Sequence, residues 1–126
     1  NLGQLENAEI DIRHARAAAD SARLLLTVTA TQGLLAYREM DSARGRALYE
    51  EARRMAQEVG EERLITLVQV HHAKECQVAV RRSADASAEE VGYAEEMRRF
   101  LGEMVECKDL TTRGIARHFI DEASRA

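Results

Sequence analysis

The sequence predicts an all-α fold, and three observations support that prediction. Good helix formers (Ala, Glu, Arg and Leu) dominate the 126 residues. Apolar residues recur at three- and four-residue spacing along most of the chain. Pro is absent and aromatic residues make up only 4%, whereas an all-β domain needs more β-branched, aromatic and turn-forming residues. Hydrophobic residues, at 45%, suffice for a core and argue against a disordered chain.

The first forty residues are expected to form two helices. The first covers about residues 4–19, and Asp20-Ser21 interrupts it and caps a second helix over about residues 22–40. The second helix has two apolar rows, which is typical of a helix held between neighbours. One row holds Leu24, Val28 and Leu35, and the other holds Leu26, Ala30, Leu34 and Tyr37.

Cap residues delimit the next two helices. Asp41 is a candidate N-cap for a third helix over residues 42–59, and Gly60 is a candidate C-cap. A fourth helix is expected over about residues 61–81, because Glu61 and Glu62 favour a helix N-terminus. Residues 82–86 are expected to form a loop.

The last part of the chain predicts a fifth helix and a short sixth helix. Ser87 and Glu90 have the spacing of a capping box, and the fifth helix follows to about residue 107. Lys108-Asp109 is expected to break the chain before a terminal helix over residues 110–123.

The helices repeat one another in sequence. The first and third helices share a pattern at a constant offset of 37, and the second and fourth share another at an offset of 40. The matching residues are Ala8, Ile12 and Ala15 with Gly45, Tyr49 and Ala52, and Arg23-Leu24-Leu25 with Arg63-Leu64-Ile65. Self-similarity at such a period indicates stacked helical repeats.

The segment 33–56 resembles a tetratricopeptide repeat. The residues that carry the resemblance are Gly33, Tyr37, Asp41, Gly45, Tyr49 and Ala52. Small residues allow close helix packing, and the aromatic ring fills the space between successive pairs. The resemblance implies antiparallel helix pairs stacked as a right-handed solenoid fragment of five or six helices. It divides the chain into a half repeat (1–20), a repeat (22–59), a degenerate repeat (61–107) and a terminal helix (110–124). An ordinary helical bundle is the alternative.

One cluster of reactive side chains lies in the fourth helix. His71, His72, Glu75 and Cys76 fall within six residues. Two ligands on one helix are short of the four that structural zinc needs, and a Cys–His nucleophile needs an orienting group and an oxyanion site. Glycine-rich phosphate loops are absent from the sequence. We therefore expect no catalytic residue, no metal and no cofactor, and no disulfide between Cys76 and Cys107.

Charge and cysteine content narrow the classes of partner. The net charge of −4 argues against a protein that binds nucleic acid. The sequence also has no apolar run long enough to cross a membrane. Two cysteines are too few for a disulfide framework, so a cytoplasmic protein is expected. The chain begins at Asn1 without an initiator Met, which suggests a segment of a longer protein.

The resemblance implies a protein- or peptide-binding groove lined by the second and fourth helices. Its expected lining is Thr27, Ala30, Leu34, Tyr37, Arg38, Val70, Lys74 and Gln77. The alternative is a ligand-sensing or oligomerisation segment of a larger bacterial transcriptional regulator. A metal- or thiol-dependent hydrolase, the third hypothesis, would need a bound metal or a low pKa at Cys76. Uncapped ends predict either a homodimer or docking of the last helix as a cap.

Overall fold

The computed structural model describes residues 2–105 and 110–125, and helices form nearly all of both ranges. The five helices found there are α1 (Leu2–Arg38), α2 (Ser42–Val59), α3 (Glu62–Arg82), α4 (Ala88–Val105) and α5 (Leu110–Arg125). These ranges contain no β-strand, so the all-α prediction is confirmed.

Helix α3 is the centre of the packing. It contacts all four other helices, while α1 also packs on α2 and α4 also packs on α5. Two groups of buried side chains result. The first lies among α1 to α4 and includes Tyr37, Tyr49, Val68 and Cys76; the second lies among α3, α4 and α5 and consists of Val70, Ala73, Leu101 and Ala116.

The predicted caps form as expected. The Asp41 side chain accepts a hydrogen bond from the Arg44 amide at 3.2 Å, which satisfies a free donor at the start of α2. Gly60 ends α2 in the left-handed conformation, with φ of 80°, which glycine adopts without steric cost. The Ser87 hydroxyl accepts from the Glu90 amide at 3.1 Å at the start of α4.

The predicted break at Asp20-Ser21 is wrong. Helix α1 continues through both residues, so its first part is not the separate half-repeat helix that was expected there. Asp and Ser retain the backbone donor that Pro lacks, and each costs only a few tenths of a kcal/mol inside a helix. The Asp20 carboxylate also receives a hydrogen bond from Arg23 at 3.4 Å. The other predicted break, at Lys108-Asp109, lies outside the described residues, as does Cys107.

Two glycines allow α1 and α2 to approach closely. A Cβ atom on Gly33 would lie 2.9 Å from Cδ2 of Tyr49, and one on Gly45 would lie 2.6 Å from Cδ2 of Tyr37. Both distances are far below ordinary carbon–carbon contact. The small residues that the repeat pattern requires at these positions are therefore needed for the packing.

The N-terminal half of α1 extends beyond the helix bundle. Every side chain between residues 3 and 18 whose exposure is described is exposed, and Ala19 is the first that is partly buried. Sixteen residues of α-helix span about 24 Å. The first half of α1 is therefore solvent-exposed on all sides, whereas its second half contributes to the core.

Candidate functional site

An open cleft lies between α1 and α3. Its volume is about 300 Å³. Helix α1 contributes Leu26, Thr27, Ala30, Thr31 and Leu34, and α3 contributes Leu64, Leu67, Val68 and His71. The structure thus brings three of the predicted groove residues (Thr27, Ala30 and Leu34) together in one depression.

The cleft is apolar although two threonines line it. The Thr27 hydroxyl donates to the carbonyl oxygen of Arg23 at 2.9 Å, and the Thr31 hydroxyl donates to that of Thr27 at 2.8 Å. Bonding back to the preceding helical turn is a common way for threonine to satisfy its hydroxyl in a helix. The hydroxyl donors are thus satisfied within α1, and the cleft has mainly aliphatic walls.

A chain of ion pairs continues from the cleft across three helices. Arg38 of α1 contacts the Glu75 carboxylate of α3 at 3.1 Å. Lys74 contacts the same carboxylate at 3.3 Å and Glu122 of α5 at 3.1 Å. The Glu75 side chain is only 3% exposed, so its two cations offset the cost of burying its charge. Two more predicted groove residues, Arg38 and Lys74, therefore lie together.

Aromatic contacts join the cleft to α5. The His71 ring, which lines the cleft, meets the Phe119 ring edge-on with centroids 4.8 Å apart. The Lys74 ammonium lies 5.6 Å from the centre of the same Phe119 ring. Partial desolvation and the Lys74 charge lower the pKa of His71, which favours the neutral imidazole at pH 7. We call this continuous surface of α1, α3 and α5 the groove face.

Three of the eight predicted lining residues are not on the groove face. Val70 is fully buried, with 0% exposure, against Leu101 in the core. Tyr37 is 5% exposed and belongs to the other core group. Gln77 lines a separate depression whose other residues are Arg81, Arg98, Arg99, Gly102 and Ile120. Val70 is a core residue because α4 and α5 cover that side of α3, and Tyr37 is one because α2 and α3 cover that side of α1.

The buried part of the reactive cluster forms an aromatic and polar core. The Tyr37 hydroxyl lies 2.9 Å from Nε2 of His72 and 3.1 Å from Sγ of Cys76. The His72 ring stacks on Tyr49, with centroids 4.7 Å apart and planes 6° from parallel. Tyr93 of α4 approaches the other rings, with its centroid 5.6 Å from that of His72. These contacts tie α1, α2, α3 and α4 together.

Burial keeps this cluster uncharged. It raises the pKa of the Cys76 thiol to about 12 and lowers the pKa of His72 to about 3. A nucleophilic cysteine needs the opposite shifts, with the thiolate favoured beside a protonated imidazole. The cluster is arranged to pack and to share hydrogen bonds around Tyr37.

Several groove-face residues were missed by sequence reasoning. Leu67, His71 and Lys74 follow one another at four- and three-residue spacing, so helical periodicity on α3 could have found the first two. Phe119 and Glu122 join the face only because α5 docks against α3. Docking of the last helix was one of the two expectations from the uncapped ends, and α5 does pack on α3 and α4. A single sequence does not show which residues of α3 it meets.

Neither metal-site geometry nor similarity to known proteins gives a further guide to function. Within residues 2–105 and 110–125, no three His, Cys, Asp or Glu side chains are grouped closely enough to hold a metal ion. Helices in the same part of the chain fall short of the combined length and hydropathy that crossing a membrane requires. Comparison with known protein families, characterised proteins and solved structures gives no match.

Proposed function

We propose that the chain is a tetratricopeptide-like scaffold that binds a protein or peptide segment on the groove face. The observation that carries this proposal is the open apolar cleft between α1 and α3, with a chain of ion pairs beside it. Cleft walls of aliphatic side chains next to a few placed charges are typical of sites that hold a peptide side chain and fix its orientation.

The charges beside the cleft suggest the chemistry of the partner. The Arg38 side chain is 47% exposed although it pairs with Glu75, so part of its guanidinium faces solvent. A guanidinium has five donors and can bind a second carboxylate. Arg38 lies one helical turn, about 6 Å, from Leu34. The groove face therefore fits a segment with an aliphatic side chain and, close to it, an acidic group.

Packing supports the solenoid part of the proposal. Helices α1, α3 and α5 contact one another in succession, while α2 and α4 each pack between members of that series. This is the arrangement expected when antiparallel pairs stack and the first helix of each pair lines one face. The close approach at Gly33 and Gly45 supports the same interpretation.

Selection from a random peptide library on the immobilised protein tests the groove face. Enriched peptides should carry the aliphatic and acidic residues described above. Leu34→Arg should abolish their binding and Arg38→Glu should weaken it, whereas Leu35→Arg should not, because Leu35 is 53% exposed and points away from the cleft. Circular dichroism would establish that the variants are equally folded. Peptides that bind all four proteins equally would show that the groove face is not the site.

An oligomerisation segment of a larger bacterial transcriptional regulator is the second candidate function. The observation that favours it is the exposure of large apolar side chains on α1, such as Leu24 at 67%. Such exposure is uncommon on a monomeric surface when the side chains form one continuous face.

A further inference from the structure

The side of α1 that faces away from the bundle carries an uncovered apolar stripe. Its large members are exposed to similar degrees: Ile10 41%, Leu24 67%, Val28 45% and Leu35 53%. With His14, Ala17, Ser21 and Thr31 they repeat at alternating four- and three-residue spacing, which places all eight on one side of an α-helix. We call these eight residues the outer stripe.

No helix of the described chain covers the outer stripe. Leu26 and Gly33, which are buried against the bundle, lie on the opposite side of α1. Side chains at alternating four- and three-residue spacing form the seam along which one helix packs on another, and five of the eight here are apolar: Ile10, Ala17, Leu24, Val28 and Leu35. Moreover, the first sixteen residues of α1 gain little from the core, and an isolated helix of that length is marginal in water.

The stripe is complementary to itself when two copies run antiparallel. If the two-fold axis passes Ala17, Ile10 of one helix lies beside Leu24 of the other, at both ends of the contact. Between them lie Ala17 and Ser21, which are small enough to allow the helices to approach, together with the larger His14. At the edge of the same contact, Arg13 of one copy lies beside Asp20 of the other, and symmetry repeats this pair. The Asp20 side chain is 78% exposed, so a partner can reach it although it also pairs with Arg23 of its own helix at 3.4 Å.

Charge also distinguishes this arrangement from a parallel one. In a parallel pair, edge residues meet partners five positions later in the other helix, so Glu6 would lie beside Asp11. Arg13 would lie beside Ala18 and Asp20 beside Leu25. Neither pair would supply an ionic attraction to offset the repulsion between Glu6 and Asp11. The antiparallel pair instead gains two Arg–Asp contacts.

We propose that the outer stripe of α1 binds a second copy of this chain, with the two α1 helices antiparallel about Ala17. The contact between residues 10 and 24 spans about 22 Å of helix. It is shorter than a standard interface of roughly 800 Å² per partner, so a micromolar dissociation constant is expected. The outer stripe and the cleft share Thr31, but the proposed contact runs only from residue 10 to residue 24, so the pairing does not depend on what binds in the cleft.

Cysteine cross-linking tests the direction of the pairing. The background protein carries Cys107→Ser, and its remaining Cys76 is buried. Under mild oxidation, Ala17→Cys should form a covalent dimer by itself. Mixed Ile10→Cys and Leu24→Cys proteins should form the heterodimer in preference to either homodimer. No cross-link through Ala17→Cys would overturn the proposal, and efficient Ile10→Cys homodimers would show a parallel pair instead.

Charge reversal tests the same contact without new cysteines. Sedimentation equilibrium should show that Arg13→Asp alone, or Asp20→Arg alone, weakens self-association about tenfold or more, because each places like charges together twice. The double variant should restore it. Arg44→Asp, on the exposed side of α2, is the matched control and should leave association unchanged. A protein that is monomeric at all concentrations, or a double variant that does not recover self-association, would refute the pairing. The pairing would equally be refuted if the stripe binds a different protein instead of a second copy.

Discussion

Gly45→Ala is expected to destabilise this protein, although alanine is the better helix former. The new Cβ atom would lie 2.6 Å, 2.8 Å and 2.9 Å from Cδ2, Cε2 and Cγ of the Tyr37 ring. Carbon atoms in contact are normally about 3.5–4.0 Å apart, so the methyl group would be roughly 1 Å too close. The ring has little room to move, because its hydroxyl group is hydrogen-bonded to His72 and Cys76.

The magnitude follows from two opposing effects. Replacing Gly by Ala inside a helix stabilises it by about 0.8–1.0 kcal/mol. Overfilling a packed site costs about 1–3 kcal/mol. A Cβ atom added to Gly92 of α4 would have no described atom of a neighbouring side chain or helix within 4 Å, so only the helical gain applies there. The free energies of unfolding of Gly45→Ala and Gly92→Ala should therefore differ by about 1–3 kcal/mol, which is the overfilling cost alone.

Urea unfolding followed by circular dichroism measures both variants against the parent protein. Adding Tyr37→Leu to each provides a double-mutant cycle: without the ring, Gly45→Ala should become neutral or stabilising. If Gly45→Ala raises the free energy of unfolding as much as Gly92→Ala does, the added methyl group causes no loss of stability at the contact between α1 and α2. The packing explanation would then be refuted.

Three further predictions concern buried polar groups. Burial lowers the pKa of His72 from 6.5 to about 3, so below pH 6.5 the unfolded state binds a proton that the folded state does not. The free energy of unfolding should therefore fall between pH 6.5 and pH 5. The fall should exceed that of His72→Phe by up to about 1.4 kcal/mol per pH unit. Cys76, with a pKa raised to about 12, should react with a thiol reagent only on unfolding when the other cysteine is replaced by serine; fast labelling of the native protein would contradict this. Arg38→Ala should cost about 1–2 kcal/mol because it leaves the buried Glu75 with one cation, whereas Arg54→Ala at an exposed pair should cost less than about 0.5 kcal/mol; equal losses in urea unfolding would argue against the ion-pair chain.

Local signals in the sequence were sufficient for most helix ends. Asp41, Gly60 and Ser87 each act through hydrogen bonds or backbone angles within a few residues, so the sequence alone identifies them. Asp20-Ser21 resembles such a signal but has no effect. An N-cap forms only if the preceding residues are not helical. The residues before Asp20 are rich in Ala, which has the highest helix propensity, so they remain helical.

Burial could be predicted less well because it depends on which helices meet. Tyr37 and Arg38 are adjacent on α1, yet one is a core residue and the other is half-exposed. Val70 has the spacing of a groove residue but is enclosed by α4 and α5. Helical periodicity specifies which side of a helix is apolar. It does not specify how many sides of the helix other helices will cover. In this structure the other helices cover most sides of α3.

The unbroken course of α1 sets a distance between sites. From Ala17 to Leu34 the helix measures about 26 Å, and nothing along it allows a bend of the kind that Pro introduces. In the antiparallel pair proposed above, the two Leu34 residues, at the far ends of the two clefts, would therefore be held about 50 Å apart along the helix axis. A partner with two recognition segments would gain avidity only if its linker could span that length, and a shorter linker would confine it to one cleft at a time.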